Sequence, residues 1–304
     1  MVFLWNLISL RELRTFVQKV LDRFDEVIEF CKDLENQFYR EVSLESIKTR
    51  EDYDKAVEKD YNFSKRCIEK YGDVFIREFT CIRVLTEFFN RFSAIVLKYG
   101  IRKRNIQKLY NDILVPTANE IFKELNRPER LDYVIVVENP EEEVEHFIQQ
   151  FEGYSPKLEK TIEYRTIWNY HYKQVKEIFD DSVAISPPHV KDLKFYIPYP
   201  LHGIRLYKIM KKDFTPREIV IPLLLDIVGI FFHEPVHRYA QILANKYIEE
   251  KYGIKPYTFH GQYKLITNPE IDLEYDKYVL RYGPDIKAYT VELMCLKKLF
   301  KKLI

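Results

Sequence analysis

Residues 215–253 read TPREIVIPLLLDIVGIFFHEPVHRYAQILANKYIEEKYG, and both ends of the stretch are punctuated as helix termini. Thr215 is an N-cap residue, Pro216 pre-sets the first helical φ, and Glu218 falls where a capping box needs an acid. At the far end Lys251 suits the negative pole of the helix dipole, and Gly253 supplies the left-handed stop. One long helix is predicted, weakened at Pro222, Gly229 and Pro235, with His233-Glu234-Pro235-Val236-His237 in its middle. Histidines at i and i+4 leave one helix face a turn apart, so two imidazoles can share a zinc ion at about 2.0–2.1 Å. Glu234, one position along, is then placed to take the proton of a water that the metal activates.

The same punctuation organises the rest of the chain. Lys70-Tyr71-Gly72, Lys98-Tyr99-Gly100 and Arg281-Tyr282-Gly283 repeat the basic-Tyr-Gly ending and read as helix stops. Asn139-Pro140-Glu141 and Asn268-Pro269-Glu270 read as starts, with Asn capping and Pro at the first helical position. Over residues 10–38 the apolar side chains Leu13, Phe16, Val17, Val20, Leu21, Phe24, Val27, Ile28, Cys31 and Leu34 recur at helical steps. Further helical stretches cover 49–71, 73–99 and 102–125, so residues 1–128 read as an all-helical domain. Residues 131–138 are short and β-branched, the clearest strand; 194–197 and 204–210 are weaker candidates, with Pro198 and Pro200 pointing to an edge or a loop. Two helices, one closed by Gly153 and one around 157–179, separate them. The fold class is therefore α+β and predominantly helical: residues 129–304 form an α+β half with a small sheet and the long helix, behind a soft boundary.

Composition narrows the function. With Lys+Arg 48 against Asp+Glu 47 the net charge is +1, so no whole-molecule field draws the chain to nucleic acid or anionic lipid. The most apolar run, 219–232, is interrupted by Asp226 and too short for a bilayer crossing of about 20 residues. The N-terminal residues lack a basic region and a small-residue cleavage site, which leads us to expect a cytoplasmic protein. Four cysteines, at 31, 67, 81 and 295, form no C-x-x-C pair and are expected to be reduced core residues. The balance of few glycines with many Lys and Glu is of the kind seen in proteins from hot environments.

Around His233-Glu234-Pro235-Val236-His237 the chain resembles the zincin metallopeptidases, whose H-E-x-x-H helix binds the catalytic zinc. In the gluzincin branch a third ligand comes from an acid on a later helix, often in a pattern E-x-x-A-[DN]. Here Pro284-Asp285-Ile286-Lys287-Ala288-Tyr289-Thr290-Val291-Glu292 matches that place. The resemblance implies zinc held by His233, His237 and Asp285, with Glu292, on the same face as Asp285, as the fallback ligand, and Glu234 as general base. It also implies a peptide or protein substrate. The sequence departs from the family in three ways: Asp285 stands for Glu, Tyr289 stands for an acid that orients a histidine, and Pro235 lies inside the motif. Proline removes the N–H that would reach Phe231 C=O, at a cost of about 3 kcal/mol in a helix interior.

The alternative is a non-enzymatic helical interaction or structural protein in which the His-Glu-Pro-Val-His run is fortuitous. A weaker one is a nucleic-acid-associated protein using Lys98, Arg102, Lys103, Arg104 and Lys108, although that run reads first as a solvated helix start. His260 is a further nitrogen donor, and His171 and His189 are weaker candidates. Glu141, Glu142, Glu143 and Glu145 are explained by the dipole of the helix they open, and the cationic C-terminal stripe by docking on its own domain.

Overall fold

The computed structural model describes residues 10–78, 104, 107–108, 110–137, 139–150, 154–179, 194–198, 229–253 and 268–303. The predominantly helical reading holds there. The first helix, α1 (Leu10–Glu41), turns Leu21, Phe24, Val27, Ile28, Cys31, Leu34 and Phe38 into the core, the face its three- and four-residue spacing defines. Helix α2 (Arg50–Glu78) packs Ala56, Phe63, Cys67 and Tyr71 against it.

Two expectations fail in this pair. Gly72 does not stop a helix: α2 runs through it to Glu78. A helical glycine costs only about 0.5–1 kcal/mol, and Tyr71 beside it is 4% exposed, so packing holds the turn. Nor are all the cysteines reduced, for Cys31 and Cys67 form a disulfide with Cα atoms 5.2 Å apart. Each sits on the buried stripe of its helix, and docking the two stripes brings the thiols face to face; a separation of 36 residues gives no hint of that. Cys295 is buried and free, and Cys81 lies outside the described residues.

Within the stretch read as helical over 102–125, Tyr110–Leu114 forms a π-helical turn and α3 (Val115–Glu124) begins beyond it, with Pro116 in its first turn. Strand β1 (Tyr133–Val137) pairs in parallel with β2 (Lys194–Pro198), Tyr133 opposite Lys194 and Val137 opposite Pro198. Their crossover contains α4 (Pro140–Gln150) and α5 (Ile162–Phe179). The other edge of β1 is met by side-chain amides: Asn111 accepts from Val134 N–H at 2.8 Å and donates to Val134 C=O at 2.9 Å. Asn119 does the same for Leu131, at 2.8 and 2.7 Å. The strand candidate at 204–210 and the residues around Gly153 lie outside the described residues.

Val134 faces the main core, whereas Ile135 and Val137 face a second cluster with Val144, Phe147, Ile148, Leu158 and Ile167. The acids of α4 do more than answer its dipole. Asn139 caps the helix, Glu141 accepts from Tyr172 Oη, and Glu145 accepts from Tyr164 Oη and Trp168 Nε1. Glu143 is fully buried, neither carboxylate oxygen has a hydrogen-bond partner, and burial pushes its pKa up to about 8.

Three C-terminal helices complete the described fold: α6 (Ile230–Tyr252), α7 (Pro269–Tyr282) and α8 (Asp285–Leu303). Phe231, Phe232 and Val236 of α6 and Ile286, Ala288, Val291 and Cys295 of α8 share one core with α1, α2 and α3. The segments before and after residue 128 are thus joined by common packing. Arg50 of α2 also forks between Asp272 and Asp276 of α7, and Lys277 Nζ donates to Ile47 C=O at 2.8 Å. The cationic C-terminus docks on its own fold, with Lys297 on Asp25 and Lys298 and Lys302 on Glu124. No helix among the described residues is long and apolar enough to cross a membrane.

Candidate metal centre

Helix α6 carries the two histidines, and Pro235 does not break it. Gly229, just before Ile230, is π-helical. The start predicted at Thr215 lies outside the described residues, while the stop at Gly253 is as expected: φ is +69°, and its N–H donates to Glu249 C=O at 2.8 Å.

With i, i+4 spacing kept, His233 Nε2 and His237 Nε2 lie 3.1 Å apart. Asp285, the first residue of α8, brings Oδ1 to 3.2 Å from His237 Nε2, and the three donor atoms lie within 4.8 Å of one another. A tetrahedral zinc with bonds of about 2.05 Å has ligand–ligand edges of about 3.3 Å, which two of the three separations match, the third being no more than 4.8 Å. Two imidazoles and one carboxylate are a donor set that zinc can take. Among the described residues no other group of His, Cys, Asp and Glu converges in this way.

The far nitrogens are fixed as well. His237 Nδ1 donates to Gly283 C=O at 2.8 Å; a carbonyl can only accept, so the proton sits on Nδ1 and a neutral His237 presents its Nε2 lone pair to the cluster. His233 Nδ1 is 3.1 Å from Glu292 Oε2. Glu292 thus meets the far nitrogen of His233 and lies outside the group formed by His233, His237 and Asp285. The ring of Tyr289 packs on His233 with centroids 4.4 Å apart.

Charge in the pocket is concentrated where the donors meet. Burial, with the neighbouring His237 charge, holds His233 down at about 4. His237 is pushed up to about 9: burial opposes its charge, but the Asp285 carboxylate, Glu234 and the Gly283 carbonyl outweigh it. Burial works to raise Asp285, yet its bond to His237 and the two histidines bring it below the usual range. Burial raises Glu234, and His237 and His233 pull part of that back.

Two glycines make the geometry possible, neither for the reason its sequence context suggests. Gly283 ends α7 with φ −146° and ψ 52°, neither left-handed nor extended; its need is space, since a Cβ would come 2.7 Å from Ala240 Cβ and 3.1 Å from Val236 C=O. That close approach lets its carbonyl reach His237. A Cβ on Gly229 would overlap the Glu292 carboxyl. Gly229 and Gly283 read in the sequence only as a weak point and a stop of helices, in a chain with only 8 glycines, while Glu292, read as the fallback ligand, is a charge inside the apolar pattern of α8. His171 is buried on α5, away from this cluster, with its pKa lowered to about 4 by burial. His189 and His260 lie outside the described residues, as do Lys98, Arg102 and Lys103 of the basic run, whose Arg104 and Lys108 are exposed. Compared with protein-family models, curated proteins and solved structures, the chain matches none of them.

Proposed function

We propose that the protein is a zinc-dependent hydrolase, a zincin-like metallopeptidase, with His233, His237 and Asp285 as ligands and Glu234 as general base. One observation carries the reading: three donor atoms converge within 4.8 Å of one another while the far nitrogen of each imidazole meets an oxygen. Zinc bound there would polarise a substrate carbonyl and make water a nucleophile near neutral pH. Gly283 C=O holds His237 in the required tautomer, and Glu292, once ionised, holds His233 in the same one. Glu234, next to His233, takes the proton of the attacking water and passes it to the leaving amine. The half-exposed Asp285 marks the side from which a substrate reaches the cluster.

Metal analysis of protein purified without chelator should find about one zinc per chain, lost in His233→Ala and His237→Ala. Glu234→Gln should keep the metal and abolish peptide cleavage. A wild type that is fully folded yet takes up no zinc would sink this reading and leave a non-enzymatic helical protein. Cleavage unchanged in Glu234→Gln would remove Glu234 as the base.

A further inference from the structure

We infer that Asp60, on α2, is a positioning residue for the metal centre: it holds the first turn of α8, and with it the backbone of Asp285, in front of the two histidines. The inference rests on the metal-dependent reading above. Asp60 Oδ2 accepts the Asp285 N–H at 2.7 Å, and Oδ1 accepts the Ile286 N–H at 3.0 Å. Both oxygens of one carboxylate are thus used on successive backbone donors, with Ser64 Oγ a longer 3.4 Å from Oδ1.

Asp60 is 5% exposed and lies on the apolar stripe of α2 with Ala56, Phe63 and Cys67. A carboxylate in such a stripe is costly unless its lone pairs are met, and an apolar residue would pack there more simply. What Asp60 adds is directed at the ligand-bearing turn. His233 and His237 lie inside α6, where their own helix fixes the backbone, but Asp285 is the first residue of α8. The opening N–H groups of a helix have no partner within it and its ends fray. The third ligand therefore takes its precision from outside its own helix, and Asp60 supplies it. Displacing a site group by about 1 Å is enough to impair a reactive constellation.

Asn268 provides a matched control, because it caps α7 in the same manner, its Oδ1 accepting from Glu270 N–H at 3.1 Å and Ile271 N–H at 3.3 Å. The test is zinc affinity by competition with a chromophoric chelator, on metal-stripped full-length protein, alongside circular dichroism, thermal melts and the visible spectrum of the cobalt(II)-loaded form. Asp60→Ala should bind zinc about 10–100-fold more weakly, the range for lost outer-shell partners, with an altered cobalt spectrum. Asp60→Asn keeps one acceptor but turns an NH2 group toward the second N–H, and should lose about 3–10-fold. Asn268→Ala should melt earlier and still bind zinc within about twofold of wild type. If Asp60→Ala folds and binds like wild type, or if it does not fold and Asp60→Asn binds like wild type, Asp60 is only a structural cap and the inference fails alone. A wild type that takes no zinc overturns the metal reading and this inference together.

Discussion

Two regions of this protein bury a histidine and a glutamate, and only one of them arranges a site. Beneath β1, Glu143 and His171 are sunk among or against apolar side chains, and burial alone moves both pKa values, Glu143 up to about 8 and His171 down to about 4. Around α6 the imidazoles of His233 and His237 share one face, each has an oxygen behind it, and a third donor arrives from α8. A shifted pKa is common to both places, so the shift does not mark the site. Convergence does.

The comparison breaks first at Glu143. Its folded pKa, about 8, lies above the usual 4.5, so the folded protein holds a proton that the unfolded chain releases. That contribution is fully present below about pH 4.5 and is lost as pH rises through 8; at about 1.4 kcal/mol per tenfold change in proton affinity it amounts to roughly 3–5 kcal/mol. Denaturant melts of Glu143→Gln should therefore gain on wild type by about that much between pH 4.5 and 8. Parallel profiles would show that Glu143 is solvated or partnered in solution.

The next test separates the two kinds of buried acid. Glu292→Met removes a carboxylate whose Oε1 has no partner and whose pKa burial pushes well above the usual range. The metal-free variant should be as stable as wild type or more so, while zinc affinity falls about 10–100-fold, or about 1.4–2.7 kcal/mol. Equal zinc affinity in calorimetric titration would place Glu292 with Glu143, as burial without a role at the metal.

The smallest expected effect concerns two glycines. Gly253→Ala puts a Cβ at φ +69° with open space around it and should cost about 1 kcal/mol in a thermal melt without touching zinc affinity. Gly229→Ala drives a Cβ into the Glu292 carboxyl and should weaken zinc binding as well. Identical zinc affinity in both variants would mean that Glu292 relaxes freely and that Gly229 does not shape the site.

How much of this is legible in the sequence depends on the range of each signal. The stripe of α1 from Leu21 onward, the Asn caps at 139 and 268 and the strand, read over 131–138 and found at 133–137, are local patterns that the fold follows. The triplets Lys70-Tyr71-Gly72 and Lys251-Tyr252-Gly253 are identical, yet α2 runs through the first and α6 ends at the second. Val74, Phe75 and Ile76 come after the first, while Pro256 comes after the second. The residues beyond the glycine, and the packing on the tyrosine, decide between the two outcomes. His233 and His237 converge because i, i+4 spacing suffices, and Asp285 was reached only through the family resemblance. The Cys31–Cys67 bond, the hold of Asp60 on α8 and the approach of Gly283 to α6 depend on how helices dock, which no local spacing encodes.

The amides of Asn111 and Asn119 have a consequence for association. An open strand edge invites pairing with another chain or with an extended peptide. By answering both backbone groups of Val134 and of Leu131, the two side chains act as a counterfeit neighbouring strand. At Val134, and at Leu131 just before the strand, that flank has no backbone group left to offer a second copy of the protein or a ligand in extended conformation.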